Sequence, residues 1–310
     1  MIKITNLTIK YNDFTAVDNV SFNIKEGTIF GFIGPNGAGK TTTIRVMAGL
    51  MSPFDGAITI KGFDADKESD KINTSIGYMP DFFGVYNKIT VSEYLIFFSE
   101  IYNIEKSEIA KKLPEVLKRA NLTEKADDYT DNLSRGMKQR LYIANLLIRE
   151  PDFFILDEPA SGLDPHARLE LREILKSLRN DGKTVFISSH ILPELADVCD
   201  EVAIIEKGKL KFSGSVTGAI KFATGVRQLI FNILDTDKSL KARKILETFK
   251  TVSDCEINGQ QLTFNCGGGD KEIYEIIRKF VASDIEFAPS FGKLYDFEQA
   301  FKNITAGEVR

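Results

Sequence analysis

The chain is expected to form an α/β fold built on a substantially parallel sheet, followed by a small α+β module, and three observations lead there. Short β-rich runs alternate with helical stretches up to about Ser213. A glycine-rich segment, Gly34-Pro35-Asn36-Gly37-Ala38-Gly39-Lys40-Thr41, stands between an apolar run and a helical one. After Gly218 the pattern changes to strand, helix, two strands, helix and strand, an order compatible with a ferredoxin-like module.

Taken in order, alternation or apolar runs place strands at 2–9, 20–24, 28–33, 57–60, 76–79, 153–156, 184–187 and 202–205. Thr42 to Ala48 reads as the helix after the glycine-rich segment. Between Thr90 and Ile148 the strand signal vanishes. Thr90 with Glu93 forms a capping box for a helix through Tyr102, and 107–120 reads as another helix. Beyond Gly218, strands are expected at 227–234, 252–257, 261–266 and 285–287. Helices are expected at 238–249, 271–281 and 295–304, with Gly267-Gly268-Gly269 as a loop.

Composition bounds the function. With 310 residues, 43% of them hydrophobic, a core forms without difficulty and disorder is excluded. The 40 basic and 44 acidic residues give a net charge of -4, which leaves no electrostatic footprint for nucleic acid. No apolar run approaches the roughly 18 residues of a membrane span. The start alternates like a strand and lacks the apolar core of a signal peptide. Cys199, Cys255 and Cys266 are odd in number and lack metal-site spacing, which fits structural thiols in a reducing cytoplasm.

The segment Gly34 to Thr41 has the spacing of a phosphate-binding loop, in the strand–loop–helix context such a loop requires. Its glycines let backbone N–H groups face phosphate oxygens, and the next helix aims its positive end at them. Lys40 supplies a point charge for the β- and γ-phosphates, and the Thr41 hydroxyl is a hard ligand suited to Mg²⁺.

Phe153 to Leu156 is an apolar strand running into Asp157 and Glu158. Alone, two acids at a strand end are ordinary. Beside a phosphate loop, Asp157 becomes a Mg²⁺ partner and Glu158 a general base for an attacking water. Ser134, in Leu133-Ser134-Arg135-Gly136-Met137, offers a hydroxyl at a helix start. A lone serine there is usually a cap, but with Gly136 it makes a second anion site.

The whole set resembles the nucleotide-binding subunit of an ATP-binding cassette (ABC) transporter over about residues 1–215. Gly34 to Thr41 matches the family's Walker A loop, 133–137 its signature, 153–158 its Walker B strand and 161–164 its D-loop, while His190 matches the switch histidine. Tyr11 matches the aromatic that stacks on adenine, although a buried or surface tyrosine is the alternative. His166 reads as surface.

The resemblance implies a P-loop NTPase cassette with a RecA-like core, an antiparallel β subdomain and a helical subdomain at about 84–148. A C-terminal α+β domain at 226–310 would follow. It implies ATP and Mg²⁺ as cofactors, with Gly34, Pro35, Asn36, Gly37, Ala38, Gly39, Lys40, Thr41 and Thr42 around the nucleotide. Lys40, Glu158 and His190 would be catalytic, and Thr41, Asp157 and Asp81 would face the metal.

Two positions depart from the family pattern. Arg135 stands where glycine is usual, and Asp81 where glutamine is usual; an ionised carboxylate can meet a metal or its water but cannot donate a hydrogen bond. A second copy, as in a homodimer, would supply Ser134 and Gly136 to each site. Membrane-spanning permease subunits would dock at Phe82, Phe83 and Tyr86, holding the chain on the inner face of the cell membrane. The signature wording and the C-terminal module resemble ABC-2-type exporters. Two rival readings stand beside this one: a soluble ABC ATPase with a non-transport role, and a regulatory module that binds ATP without hydrolysing it.

Overall fold

The computed structural model describes residues 1–191, 195–224 and 227–289. Its packing divides the chain into two compact units, the first spanning Met1–Val216 and the second beginning at Thr217.

In the first unit, β1 (Ile2–Tyr11) and β2 (Phe14–Ile24) form a long antiparallel hairpin. β3 (Ile29–Ile33) then leads through the glycine-rich segment into α1 (Lys40–Met47). There follow β4 (Asp55–Ile60), β5 (Phe63–Asp64), α2 (Ser69–Ile72), β6 (Ile76–Met79), α3 (Val91–Ile101), α4 (Lys106–Arg119) and α5 (Arg135–Ile148). The unit is completed by β7 (Phe153–Leu156), α6 (Pro165–Asn180), β8 (Thr184–Ser189), β9 (Glu201–Glu206) and β10 (Lys209–Ser215).

A four-stranded antiparallel sheet runs β2-β1-β4-β5, and a six-stranded sheet runs β10-β9-β3-β8-β7-β6. In the second sheet every neighbouring pair is parallel except β9 with β10. Buried on both faces, its strands read as near-continuous apolar runs: all residues of β3, β7 and β8 are buried. Phe22 of the antiparallel sheet stacks on Phe30 with ring centroids 5.3 Å apart, and Phe30 stacks on Phe186 at 5.9 Å. This aromatic row joins the sheets through one core.

Four elements stand out against expectation. β2 begins at Phe14, six residues before the predicted start, because its outer half pairs with β1 although its alternation is broken by Asp18 and Asn19. β5 and β10 are strands that the pattern did not mark; β10 alternates only between exposed and half-buried residues, so its apolar signal is weak. Gly269 opens a helix rather than closing the glycine loop.

The helices from α3 to α5 replace sheet between Thr90 and Ile148, where among the described residues only an isolated bridge, Thr90 to Tyr129, is found. α3 starts on a complete capping box. Thr90 Oγ1 accepts from Glu93 N at 3.2 Å, and Glu93 Oε2 accepts from Thr90 N at 2.7 Å.

The second unit contains most of α7 (Val216–Thr224), then β11 (Arg227–Ile233), α8 (Ser239–Leu246), β12 (Val252–Asn258), β13 (Gln261–Cys266), α9 (Gly269–Ala282) and β14 (Phe287–Pro289). Its antiparallel sheet runs β12-β13-β11-β14. Phe231, Leu262 and Phe264 from the strands pack with Ala242 and Leu246 of α8 and with Ile276 and Phe280 of α9 in a core of its own. The helix expected at 295–304 lies outside the described residues.

Candidate functional site

Parallel pairing explains why residues far apart in sequence meet. β3, β8, β7 and β6 are successive neighbours, and the segments leaving their carboxyl ends carry Gly34, His190, Asp157 with Glu158, and Asp81. Register keeps those ends level: Ile33 pairs Ser189, Leu156 pairs Ile187, and Met79 pairs Leu156. The carboxyl edge of such a sheet is where α/β proteins place ligands.

The glycine-rich segment is shaped by its neighbours as much as by its own turns. A Cβ at Gly34 would come within 2.3 Å of the Ile205 carbonyl oxygen, so only glycine fits. Gly37 has φ +78° and faces open space, so its lack of a side chain serves the turn and close approach from outside rather than packing.

Lys40 is 6% exposed and sits at the centre of the site. Its Nζ donates to Gly34 O at 2.7 Å and Pro35 O at 3.3 Å, and lies 3.1 Å from Glu158 Oε1. The last contact is ionic; its angles do not make Oε1 a hydrogen-bond acceptor. The other oxygen, Oε2, is 2.8 Å from His190 Nδ1. A carboxylate only accepts, so Nδ1 carries the proton in this contact. Glu158 is thus held between a cation and an imidazole, with its side chain 11% exposed.

Glu158 has φ +50°, left-handed for a residue with a side chain, and its amide donates to Ser188 Oγ at 2.8 Å. Ser188 Oγ in turn donates to Asp157 Oδ1 at 2.6 Å. One buried hydroxyl therefore orients the Asp157 carboxylate, holds the Glu158 amide and supports a backbone conformation that costs about 1–3 kcal/mol elsewhere. Sequence reasoning missed Ser188. Its only mark was a polar residue at the inner end of an apolar strand, just before His190.

Asp157 is 1% exposed, and its Oδ2 is buried with no hydrogen-bond partner. Burial pushes its carboxyl above the usual range, opposed by the Ser188 hydrogen bond and by the nearby Thr41 hydroxyl. An orphaned buried oxygen beside a hydroxyl is a donor set that suits a hard cation. Among the described residues no group of three or more His, Cys, Asp or Glu forms a metal cage. Asp81 is also raised, first by burial and then by Asp157 and Glu158, while Arg135 and Lys40 oppose. It stands in the field of the same cluster.

Ser134, Gly136 and Tyr11 make their contacts elsewhere. Ser134 caps α5, its Oγ accepting from Met137 N at 3.3 Å. Gly136 is buried against α6, where a Cβ would meet Ala167 Cβ at a tight 3.0 Å, so packing within the chain already favours glycine. Tyr11 stands at the end of β1, 41% exposed, with its hydroxyl 3.5 Å from Met51 Sδ. Asp164 caps α6, accepting from the amides of His166 and Ala167, and the His166 side chain is exposed.

A phosphate loop, a strand ending in two carboxylates and a polarised histidine, ranged along the edge of a parallel sheet, define a nucleoside-triphosphatase. The family model described as ABC transporter matches residues 17–161. The linearmycin resistance ATP-binding protein LnrL of Bacillus subtilis is 30% identical across the whole of both chains. The probable multidrug ABC transporter ATP-binding protein YbhF of Escherichia coli is 40% identical over 69% of this chain and 37% of its own length. Among solved structures, a dimeric post-hydrolysis ATP-binding cassette bound to ADP and Pi superposes with a TM-score of 0.62 at 27% identity, over 70% of this chain and 99% of that one. The chain belongs to the ABC transporter family and is an ATP-binding, ATP-hydrolysing subunit of such a transporter.

Proposed function

We propose that this subunit energises export through separate membrane-spanning permease subunits, with its ATP site at the carboxyl ends of β3, β8, β7 and β6. The observation that carries the reading is Glu158, fixed between Lys40 and His190 at the end of β7. Gly34 to Thr42 surround the phosphates and Tyr11 the base. Thr41 and Asp157 would hold Mg²⁺, with Asp81 toward its water shell, and the ion would supply charge neutralisation on the phosphate oxygens. Glu158 takes a proton from water as the water oxygen bonds to the γ-phosphorus. The bond to the bridging oxygen breaks, and its electron pair leaves with ADP. His190 and Lys40 hold the carboxylate and the developing charge in place.

Ser134 and Gly136 lie on the amino end of α5 and make none of their contacts with the loop of their own chain. In this reading they complete the site of a second copy, and the dimeric state of the solved cassette supports it. Phe82 is 90% exposed and Tyr86 59%, beside a cavity of about 510 Å³ lined also by Tyr94, Phe98 and Tyr102. Phe83 instead packs on Tyr142 at 5.1 Å and forms the floor. An aromatic recess of this kind suits an apolar helix end from a permease, which would hold the chain at the inner face of the membrane. No helix among the described residues is long and apolar enough to cross a membrane. Names that include linearmycin resistance and multidrug transport support a drug as the cargo.

The test is Glu158→Gln. It should keep ATP binding, accumulate ATP-bound dimer in size-exclusion chromatography, and lower turnover by on the order of 10²- to 10³-fold. Turnover near wild type would remove Glu158 from the chemistry. Co-purification with a multi-span protein checks the transport half of the reading, and recovery in soluble complexes alone would defeat it.

A further inference from the structure

Asp81 and Arg135 are each placed at an electrostatic cost by their own surroundings. Arg135 is the first residue of α5, a 14-residue helix with no acid in its first turn, so its cation stands against the positive end of the helix dipole. Asp81 shares its region with the carboxylates of Asp157 and Glu158. The two oppositely charged residues line one cleft of about 390 Å³ together with Phe82, Phe83, Leu133 and Lys138. The charge of Arg135 opposes the repulsion that Asp81 meets from Asp157 and Glu158.

The guanidinium of Arg135 has a second anchor. It lies on Gly162, where a Cβ would come within 2.3 Å of Nη1 and 2.6 Å of Cζ, and Gly162 has φ +69°. The 161–164 turn is therefore pressed against a planar cation, and the same turn ends in Asp164, the cap of α6. A lysine in place of Arg135 would keep the charge but could not lie flat across this turn.

We propose that Arg135 is a positioning residue which ties the Asp81 segment to the 161–164 turn within one subunit, so that Asp81 and Arg135 act in turnover as a single coupled pair. The link joins the strand end beside Phe82 and Phe83 to the turn that leads into α6. It rests on the reading of this chain as an ATPase with Asp81 on the metal side of the site.

The experiment is a double-mutant cycle on the full-length chain with Asp81→Asn, Arg135→Gln and the double variant. Steady-state ATPase rates are taken across a Mg²⁺ titration, with thermal midpoints recorded for each variant. A coupled pair gives single variants that each lower kcat several-fold, with a shifted Mg²⁺ requirement, and a double variant no worse than the weaker single. The shortfall from multiplied effects should be about 2- to 100-fold. Arg135→Lys should restore part of kcat, since it restores charge alone. Lys138→Gln, which removes the other cation of the cleft, should show no such coupling to Asp81→Asn. If the effects of Asp81→Asn and Arg135→Gln simply multiply, or Arg135→Gln changes only the thermal midpoint, the pair is refuted. Absent turnover in the wild-type chain would defeat the ATPase reading itself, a result distinct from either.

Discussion

At the scale of single residues, the chemistry is concentrated where local rules are broken. Glu158 sits at positive φ, Asp157 leaves an oxygen without a partner, and Lys40 is a buried cation held by carbonyls. Asp157 gives a stability prediction with a definite sign. Burial raises its carboxyl in the fold above the ordinary 3.8, so the native chain binds that proton more tightly than the unfolded chain. Stability therefore falls as pH rises from 3.8 through the raised native value, and stays lower above it. Without metal, Asp157→Asn should raise the thermal midpoint at about pH 7.5, with the gain shrinking toward about pH 4, while Mg²⁺-dependent turnover is lost. A lower midpoint at neutral pH would show that its hydrogen bonds outweigh burial. Much of this site was legible because phosphate loops and strand-end carboxylates have fixed spacing. Ser188 was not, since a serine that holds two neighbours in place looks the same in sequence as one that only ends a strand.

At the scale of elements, local signals worked where one segment carries its own instruction. The Thr90 and Glu93 pair announces α3, and both hydrogen bonds of the capping box are present. Thr90→Ala should cost about 1 kcal/mol in urea unfolding. A change within about 0.3 kcal/mol would mean that the bridge to Tyr129 holds the helix start without the cap. Buried parallel strands were equally clear, as β6, β7 and the first four residues of β8 show. The start of β2 and the whole of β10 were not, because both lie at sheet margins where pairing rather than side-chain pattern makes the strand. Gly136 shows the opposite hazard. Its position fits the signature of the family, yet close packing on Ala167 already favours glycine there.

At the scale of the whole molecule, the change of pattern after Gly218 corresponds to a unit with a core independent of the first, from Phe231 to Ile285. We expect a chain ending at residue 224 to unfold cooperatively and to bind a fluorescent ATP analogue as the full chain does. Loss of both properties would show that the first unit depends on the second for folding. Cargo identity was not legible, since in the proposed reading the residues that would contact it belong to the permease. The sheet order has one mechanical consequence. β6 lies at the sheet edge, paired with β7 alone among the described residues, and past the end of β7 the backbone ladder continues through Asp157 N to Met79 O at 2.9 Å. A pull on the chain at Phe82 therefore reaches Met79 through two intervening residues, Asp81 and Pro80, and the next bond to feel the load belongs to Asp157. Load taken up beside the aromatic recess would thus be passed by the backbone to the residue that leaves β7, with no side chain in the path.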